Sequence, residues 1–403
     1  MTTSAPHVGH VIADLSGQSG GPAAVALALG THQRMSQLRV TWWATSAAGA
    51  VPSDALPEGV HLFPRSLLDA WAFAPRLRRT LQAALPQIDL LHLHQVWDYP
   101  LYAAAGMARQ FRVPYLVTPH GIFSQRWRYA SPKKALYLRL FARPLLTRAA
   151  CIHAVTPAEI SGLRDAGIRA PVAVVPNGVD PVLFAELPAP AEAEAHWPEL
   201  AGKQVVLYLG RLSPEKGIVP LLRAWQEVQR ERRAAVLMLA GDGEPHYLQR
   251  LQRLVSELGV LETVLMPGML TGRRKLTALS RADLFVLPSY SEGSSLALLE
   301  ALAFGKPCVI TSGCNFPEVA AIGAGEVVEL TPSNLALAIE EVLSLSVAQR
   351  IAMGRQGREL VLQQYTLDRA ARRLWTVYRC ILEGAPIPLY PEAWQGGWLG
   401  GRE

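Results

Sequence analysis

The sequence predicts an α/β protein of two domains, each a parallel sheet flanked by helices, and three observations carry that expectation. Short apolar runs of strand type alternate with helix-spaced stretches through both halves of the 403-residue chain, the pattern of successive βαβ units. Leu284 to Thr311 places strand, loop, helix and strand in immediate succession, which makes a parallel crossover. An Ala-, Pro- and Glu-rich passage divides the halves and reads as a linker or exposed insertion. The chain is half hydrophobic and 18% charged, so it has material for two large cores.

Taken in order, strands are expected near 8–15, 39–45, 89–94, 115–118, 151–155 and 172–175, which gives a first domain over residues 1–184. Residues 185–200 form the linker or insertion. Strands near 204–209, 235–240, 263–267, 283–287, 307–310 and 326–329 build a second domain over 201–365. The last helical pattern runs from Leu367 to about Glu383, and the Gly-, Pro- and Trp-rich end from Gly384 is expected to be partly loose. No short-period repeat is present. The N-terminus lacks a basic start followed by an apolar segment, and no run approaches bilayer-spanning length, so a cytoplasmic location is expected. Cys151, Cys308, Cys314 and Cys380 have no zinc-type spacing and read as buried thiols of a reducing compartment.

Two loops carry candidate chemistry. After the strand Val205–Leu209 come Gly210-Arg211-Leu212-Ser213-Pro214-Glu215-Lys216-Gly217, then a helix with Ile218, Leu221, Leu222, Trp225 and Val228 as its core stripe. Arg211 offers a planar fork and Lys216 a mobile point charge, a combination that suits a diphosphate. Solvated loop cations are the commoner occurrence. In the second loop Pro288 and Ser289 end the strand, Ser294 and Ser295 are good N-caps, and Gly305 with Pro307 stops the helix that begins at Leu296. The first-turn amides of such a helix can face an anion. Glu292 precedes those amides and Glu300 lies within the helix, so they are placed to hold hydroxyls on two different rings. On spacing alone, two ordinary solvated glutamates are the commoner occurrence.

Together, G-R-L-x-x-x-K-G and the later E-x7-E resemble the donor-site signature of the family 4 retaining glycosyltransferases. Further pieces stand in the expected order: Gly20-Gly21, Thr118-Pro119-His120-Gly121, Pro176-Asn177-Gly178-Val179-Asp180 and Ala240-Gly241-Asp242-Gly243. The resemblance covers most of the chain. It implies the GT-B fold, two Rossmann-like domains facing across a cleft, with residues 366–403 crossing back to the first domain.

The resemblance also implies roles. Arg211 and Lys216 would hold the diphosphate of a nucleotide-sugar donor, Glu300 the ribose hydroxyls, and Glu292 the donor sugar. Amides of Gly293, Ser294, Ser295 and Leu296 would reach sugar and phosphate. Ser294-Ser295 stands where the family commonly has Phe-Gly, which restricts backbone approach at Ser295. His120 corresponds to a histidine that touches the donor sugar, although a lone loop histidine is more often solvated or structural. Gly20 and Gly21 suit either a bare backbone beside a phosphate or a tight turn. Asn177-Gly178 makes a good turn in any protein, and Asn177 is also a donor-binding candidate. Asp242 and Gly268 lie on loops that border the base in similar enzymes.

Retention of configuration follows from the resemblance, and two carboxylates do not here imply the glycosidase scheme. A front-face displacement is expected, in which a phosphate oxygen takes the acceptor's proton. No Asp-x-Asp pair is present, so no metal and no cofactor are expected beyond the donor itself. The stretch 126–148 holds Arg126, Arg128, Lys133, Lys134, Arg139, Arg143 and Arg148 with Trp127, Tyr129, Tyr137 and Phe141, and no acidic residue. It reads either as a dock for anionic lipid headgroups or as a solvated basic face with its aromatics inside. His94 to Pro100 resembles enzymes of bacterial exopolysaccharide and lipopolysaccharide synthesis, which implies a glycan or lipid-linked acceptor and a peripheral place at the inner membrane face. The net charge of +6 comes with no nucleic-acid motif. A nucleotide-sugar epimerase or hydrolase, and a non-catalytic nucleotide-sugar binding module, stand as the alternatives.

Overall fold

The computed structural model describes residues 5–15, 21–36, 38–46, 56–66, 71–124 and 132–390. The chain divides into two compact units: residues up to Gly178 with those from Leu367 onward, and Val179–Thr366.

In the first unit the strands are β1 (His7–Asp14), β2 (Arg39–Ser46), β3 (Val60–Pro64), β4 (Leu90–His94), β5 (Tyr115–Thr118), β6 (Cys151–Ala154) and β7 (Val172–Val174). They form one sheet in the order β3-β2-β1-β4-β5-β6-β7, every pair parallel. Helices on both faces bury β4, β5, β6 and β7 completely, which is why those strands read as unbroken apolar runs apart from their histidines and Thr118. One core layer packs the helices Pro75–Ala84 and Tyr99–Phe111 on one face through Leu77, Leu81, Leu101 and Ala104. The opposite layer packs Gly21–Met35 and the C-terminal Leu367–Glu383 through Leu29, Leu374, Val377 and Tyr378.

In the second unit β8 (Gln204–Leu209), β9 (Ala235–Ala240), β10 (Val264–Gly268), β11 (Leu284–Leu287), β12 (Cys308–Thr311) and β13 (Gly325–Val328) form a parallel sheet in the order β10-β9-β8-β11-β12-β13. The helix Ile218–Glu231 buries Ile218, Leu221, Leu222, Trp225 and Val228, the stripe read from the sequence.

Three features depart from the sequence reading. The edge strand β3 was not anticipated; only Phe63 of its five residues is buried, so its apolar signal is weak. Residues 185–200 belong to the second unit, where they form the helix Pro190–His196 and bury Ala193, Trp197 and Leu200. Arg273 closes onto Glu192 at 2.7 Å and Ser280 Oγ donates to the Pro188 carbonyl, so tertiary contacts hold a passage whose composition suggests a spacer. After Gly384 the chain is tied down through Tyr390: Val174 N donates to the Leu389 carbonyl at 2.7 Å, and Tyr390 packs on the core. Cys151, Cys308 and Cys314 are buried and Cys380 half-buried; burial pushes the Cys151 thiol up to about 12.

Candidate functional site

The strand order of the second sheet reverses between β8 and β11, and open parallel sheets bind ligands beyond the carboxyl ends of the strands at such a reversal. The loops leaving both strands carry the residues picked from the sequence. After β8, the buried Tyr208 hydroxyl donates to the Arg211 carbonyl at 2.8 Å, so the backbone is fixed while the Arg211 side chain stays exposed. Among the described residues that guanidinium has no ion-pair partner. Gly217, at φ +67°, opens the following helix, and a Cβ there would stand 1.9 Å from the Pro288 carbonyl oxygen. Glycine is what lets the β8 and β11 loops touch. A backbone bond from Tyr290 N to the Glu215 carbonyl, 3.0 Å, ties the same two loops.

That contact brings Lys216 to Glu292. Lys216 Nζ lies 2.6 Å from Glu292 Oε1, which also accepts from Ser289 Oγ at 2.6 Å. Glu292 is buried, and the loop after β12 clamps its backbone: Glu292 N donates to the Gly313 carbonyl at 2.8 Å and Asn315 Nδ2 to the Glu292 carbonyl at 2.7 Å. The Glu292 charge joins burial in raising the Cys314 thiol to about 12. Glu300 sits on the helix Leu296–Ala303 and takes Lys275 Nζ at 2.6 Å. Lys275, from the helix Gly272–Arg281, is a site residue that the sequence reading missed. No local pattern links it to Glu300, because the pair forms only when two crossover helices pack.

Ser295 caps the Glu300 helix, accepting from Leu298 N at 3.3 Å with an ordinary extended φ of −74°. Gly293, Ser294 and Leu296 are partly buried beside it. Asp242 lies on the loop after β9, and Gly268, expected on a loop, is the last residue of β10: the Asp242 carbonyl accepts from Leu212 N at 2.8 Å, its exposed side chain accepts from Gly243 N at 2.8 Å, and the Gly268 carbonyl accepts from Gly241 N at 2.9 Å. Thus Lys216 and Glu292 meet directly across two loops, Arg211 shares the loop of Lys216, and Glu300 holds a separate cation.

In the first unit His120 follows β5 with φ +56°, a left-handed conformation uncommon outside glycine. The next amide, Gly121 N, donates to the buried Glu159 carboxylate at 2.8 Å, as does Val155 N at 2.8 Å. Burial pushes the Glu159 carboxyl up to about 7, against the lowering effect of the backbone amides around it. His120 is not a lone loop histidine. Its Nε2 lies 3.1 Å from His94 Nδ1; His94 Nε2 lies 2.9 Å from His10 Nδ1; and His10 Nε2 lies 2.9 Å from Gln33 Oε1. Gln33 Nε2 donates to the Tyr378 hydroxyl at 3.0 Å, which lies 2.6 Å from His92 Nδ1. Beyond, Thr118 Oγ1 stands 2.5 Å from His92 Nε2 and 2.7 Å from His153 Nδ1, and His153 Nε2 lies 2.7 Å from the Val175 carbonyl. Burial lowers His10 and His153 to about 4 and His120 to about 3, and holds His92 and His94 well below the usual imidazole range. The alternate histidines of β4, His92 and His94, are the signal that marks this network in the sequence, since period two places both on one sheet face.

Gly21 starts the helix after β1 with open space where a Cβ would stand, while Gly20 lies outside the described residues. Asn177 is buried just after β7. Among the described residues, His10, His92 and His94 alone bring three metal-type ligand atoms together, within 4.8 Å. Every ring nitrogen of the three already has a hydrogen-bond partner, so an ion there would have to dismantle the network.

These two sheets, each with helices on both faces, define the GT-B class. A crystal structure of Anabaena Alr3699/HepE in complex with UDP and glucose shares the fold, with a TM-score of 0.75 at 20% identity over 92% of this chain and 98% of that one. Residues 19–183 match the family described as Glycosyltransferase Family 4, and residues 192–360 match glycosyl transferases group 1. The chain belongs to the family 4 glycosyltransferases. An uncharacterized glycosyltransferase of Methanocaldococcus jannaschii, MJ1607, is 26% identical over 73% of this chain and 76% of its own length. A GDP-mannose-dependent alpha-(1-6)-phosphatidylinositol monomannoside mannosyltransferase of Mycolicibacterium smegmatis is 32% identical over 50% of this chain, which spans about half, 54%, of that relative. No helix among the described residues is long and apolar enough to cross a membrane.

Proposed function

We infer that this chain is a retaining, metal-independent glycosyltransferase that moves a sugar from a nucleotide-diphosphate donor to a glycan or lipid-linked acceptor in bacterial cell-surface polysaccharide synthesis. The observation that carries the reading is the Lys216–Glu292 pair, 2.6 Å, at the reversal of the second sheet with Arg211 on the loop of Lys216. Arg211 and Lys216 face the donor's diphosphate and offset the charge that grows on it as the glycosidic bond breaks. Glu292 then hydrogen-bonds the donor sugar, Glu300 the ribose, and His120 the sugar from the first domain. Both carboxylates already hold a lysine, so neither is a free base. The bond from the anomeric carbon to the phosphate oxygen breaks as the bond to the acceptor oxygen forms on the same face, and a phosphate oxygen takes the acceptor's proton.

The acceptor reading rests on the first unit's basic segment. Lys133, Arg139, Arg143 and Arg148 are exposed there beside Leu136, Leu140 and Phe141, while Tyr137 turns inward and donates to the Trp97 carbonyl at 2.5 Å. Arg126, Trp127, Arg128 and Tyr129 lie outside the described residues. A surface of exposed cations and large apolar side chains suits an anionic membrane leaflet, and the mannosyltransferase relative carries phosphatidylinositol monomannoside in its name. Both points support a cytoplasmic protein peripheral to the inner face of the membrane as part of this reading.

The test is product analysis with a panel of nucleotide sugars and lipid-linked acceptors. Nucleotide release that depends on acceptor, with the donor's anomeric configuration kept in the product, supports the reading. Acceptor-independent release of free sugar makes the protein a hydrolase, and inverted product refutes retention. Co-sedimentation with anionic but not neutral vesicles tests the membrane surface.

A further inference from the structure

The hydrogen-bond chain from Val175 to His120 has only one possible direction when its histidines are neutral. A backbone carbonyl can only accept, so His153 Nε2 carries the proton and Nδ1 is the acceptor. Thr118 must then donate to His153 Nδ1 and accept from His92 Nε2–H. His92 Nδ1, left as an acceptor, takes the Tyr378 hydroxyl proton. Tyr378 oxygen therefore accepts from the Gln33 amide nitrogen, which leaves Gln33 Oε1 to accept from His10 Nε2–H. His10 Nδ1 accepts from His94 Nε2–H, and His94 Nδ1 accepts from His120 Nε2–H. Turning any link over sets two acceptors or two donors against each other inside a buried core, where an unmade hydrogen bond is costly.

We propose that this chain holds His120 as the Nε2–H tautomer, with Nδ1 as an acceptor for a donor-sugar hydroxyl, and that His94, His10, Gln33 and Tyr378 are its positioning residues. The hydroxyl contact rests on the function proposed above; the tautomer does not. The depressed imidazole values agree: burial disfavours the charged form of all five rings, and neighbouring histidines lower His92, His94 and His120 further. His120 itself is only partly buried, and among the described residues Nδ1 has no partner. The site therefore selects a sugar with a hydroxyl at the contacted position. A carboxylate there would place acceptor against acceptor.

Tyr378 is the informative link, because its helix, Leu367–Glu383, is remote in sequence from His120. In Tyr378→Phe the Gln33 amide loses one partner whichever way it turns, so nothing selects its orientation and His10, His94 and His120 are released to run either way. Long-range nitrogen–proton spectra of histidine-labelled full-length protein read the tautomer directly. The expected wild-type result at neutral pH is a protonated-type nitrogen at Nε2 of His120 and an unprotonated-type nitrogen at Nδ1. In Tyr378→Phe the His120 signals are expected to move to a mixture of both tautomers, with kcat down about twofold as half the molecules lose the competent form. An Nδ1–H tautomer or an imidazolium in the wild type overturns the proposal, even if the variant fails to fold. So does stoichiometric zinc in the purified protein with loss of the Nε2 protons on His10, His92 and His94. If the spectra are as stated but His120→Phe keeps full transfer activity, the tautomer stands and the sugar contact assigned to His120 falls.

Discussion

The candidate sites of the two units hold their polar side chains in opposite ways. At the carboxyl end of the second sheet they are charged and paired, Lys216 with Glu292 and Lys275 with Glu300, each at 2.6 Å. In the first sheet they are neutral rings and hydroxyls passing one hydrogen bond to the next from Val175 to His120. The difference follows from what each region meets. Mobile cations held by carboxylates can be handed to an anionic diphosphate, whereas a neutral chain can hold a ring in one orientation and one tautomer without asking a buried core to solvate charge.

The contrast can be broken first at the charged site. Arg211→Ala or Lys216→Ala is expected to lower kcat by roughly two to three orders of magnitude, and Lys216→Ala should weaken diphosphate nucleotide binding far more than nucleoside binding in calorimetry. Equal losses for both ligands would remove the assigned phosphate contact.

Stability separates the pair's two duties. The side chains of Lys216 and Glu292 are 22% and 10% exposed, so Lys216→Met strands a buried carboxylate at a cost of about 3 kcal/mol. Adding Glu292→Gln should restore most of the urea midpoint and none of the turnover. Recovery of both would make the pair purely structural.

The neutral chain is sharpened by pH. His10 and His153 lie at about 4 and His120 at about 3, with His92 and His94 also far below 6.5, so the unfolded chain binds protons that the folded one refuses. Their contribution is fully present above pH 6.5 and is lost as pH falls toward 4, with a slope of about 1.4 kcal/mol per pH unit for each histidine titrating. Glu159, raised to about 7, acts in the opposite sense between its unfolded value and 7, and burial raises Asp98, Glu318 and Glu326 in that same sense, against five depressed imidazoles. Urea midpoints should therefore drop steeply between pH 7 and pH 5; a flat profile would mean that the rings are charged in the fold. The smallest effect belongs to the cap: Ser295→Ala should cost about 1 kcal/mol and Ser295→Gly only a few tenths, read as melting shifts.

Most of the fold was legible in the sequence, because buried parallel strands are continuous apolar runs and each begins a crossover. Every strand expected in the second domain is present. The strand that escaped, β3, has a mostly unburied surface and no such run. The 185–200 passage and the segment before Tyr390 escaped because Glu192, Trp197 and Leu389 meet Arg273, Arg274 and Val174, residues far away in the chain.

By itself the sequence determined which loops carry the cations and the carboxylates, since a strand, a glycine-marked turn and a capped helix are local events written in neighbouring residues. Only tertiary structure decided how those groups are shared. Lys216 finds Glu292 through a glycine that admits a neighbouring carbonyl, Glu300 takes a lysine from another helix, and a carbonyl after β7 sets the proton order of rings on β6, β4 and β1. Hydrogen bonds and ion pairs require atoms within about 3 Å of one another, and for residues distant in the chain that proximity exists only once the sheets have formed.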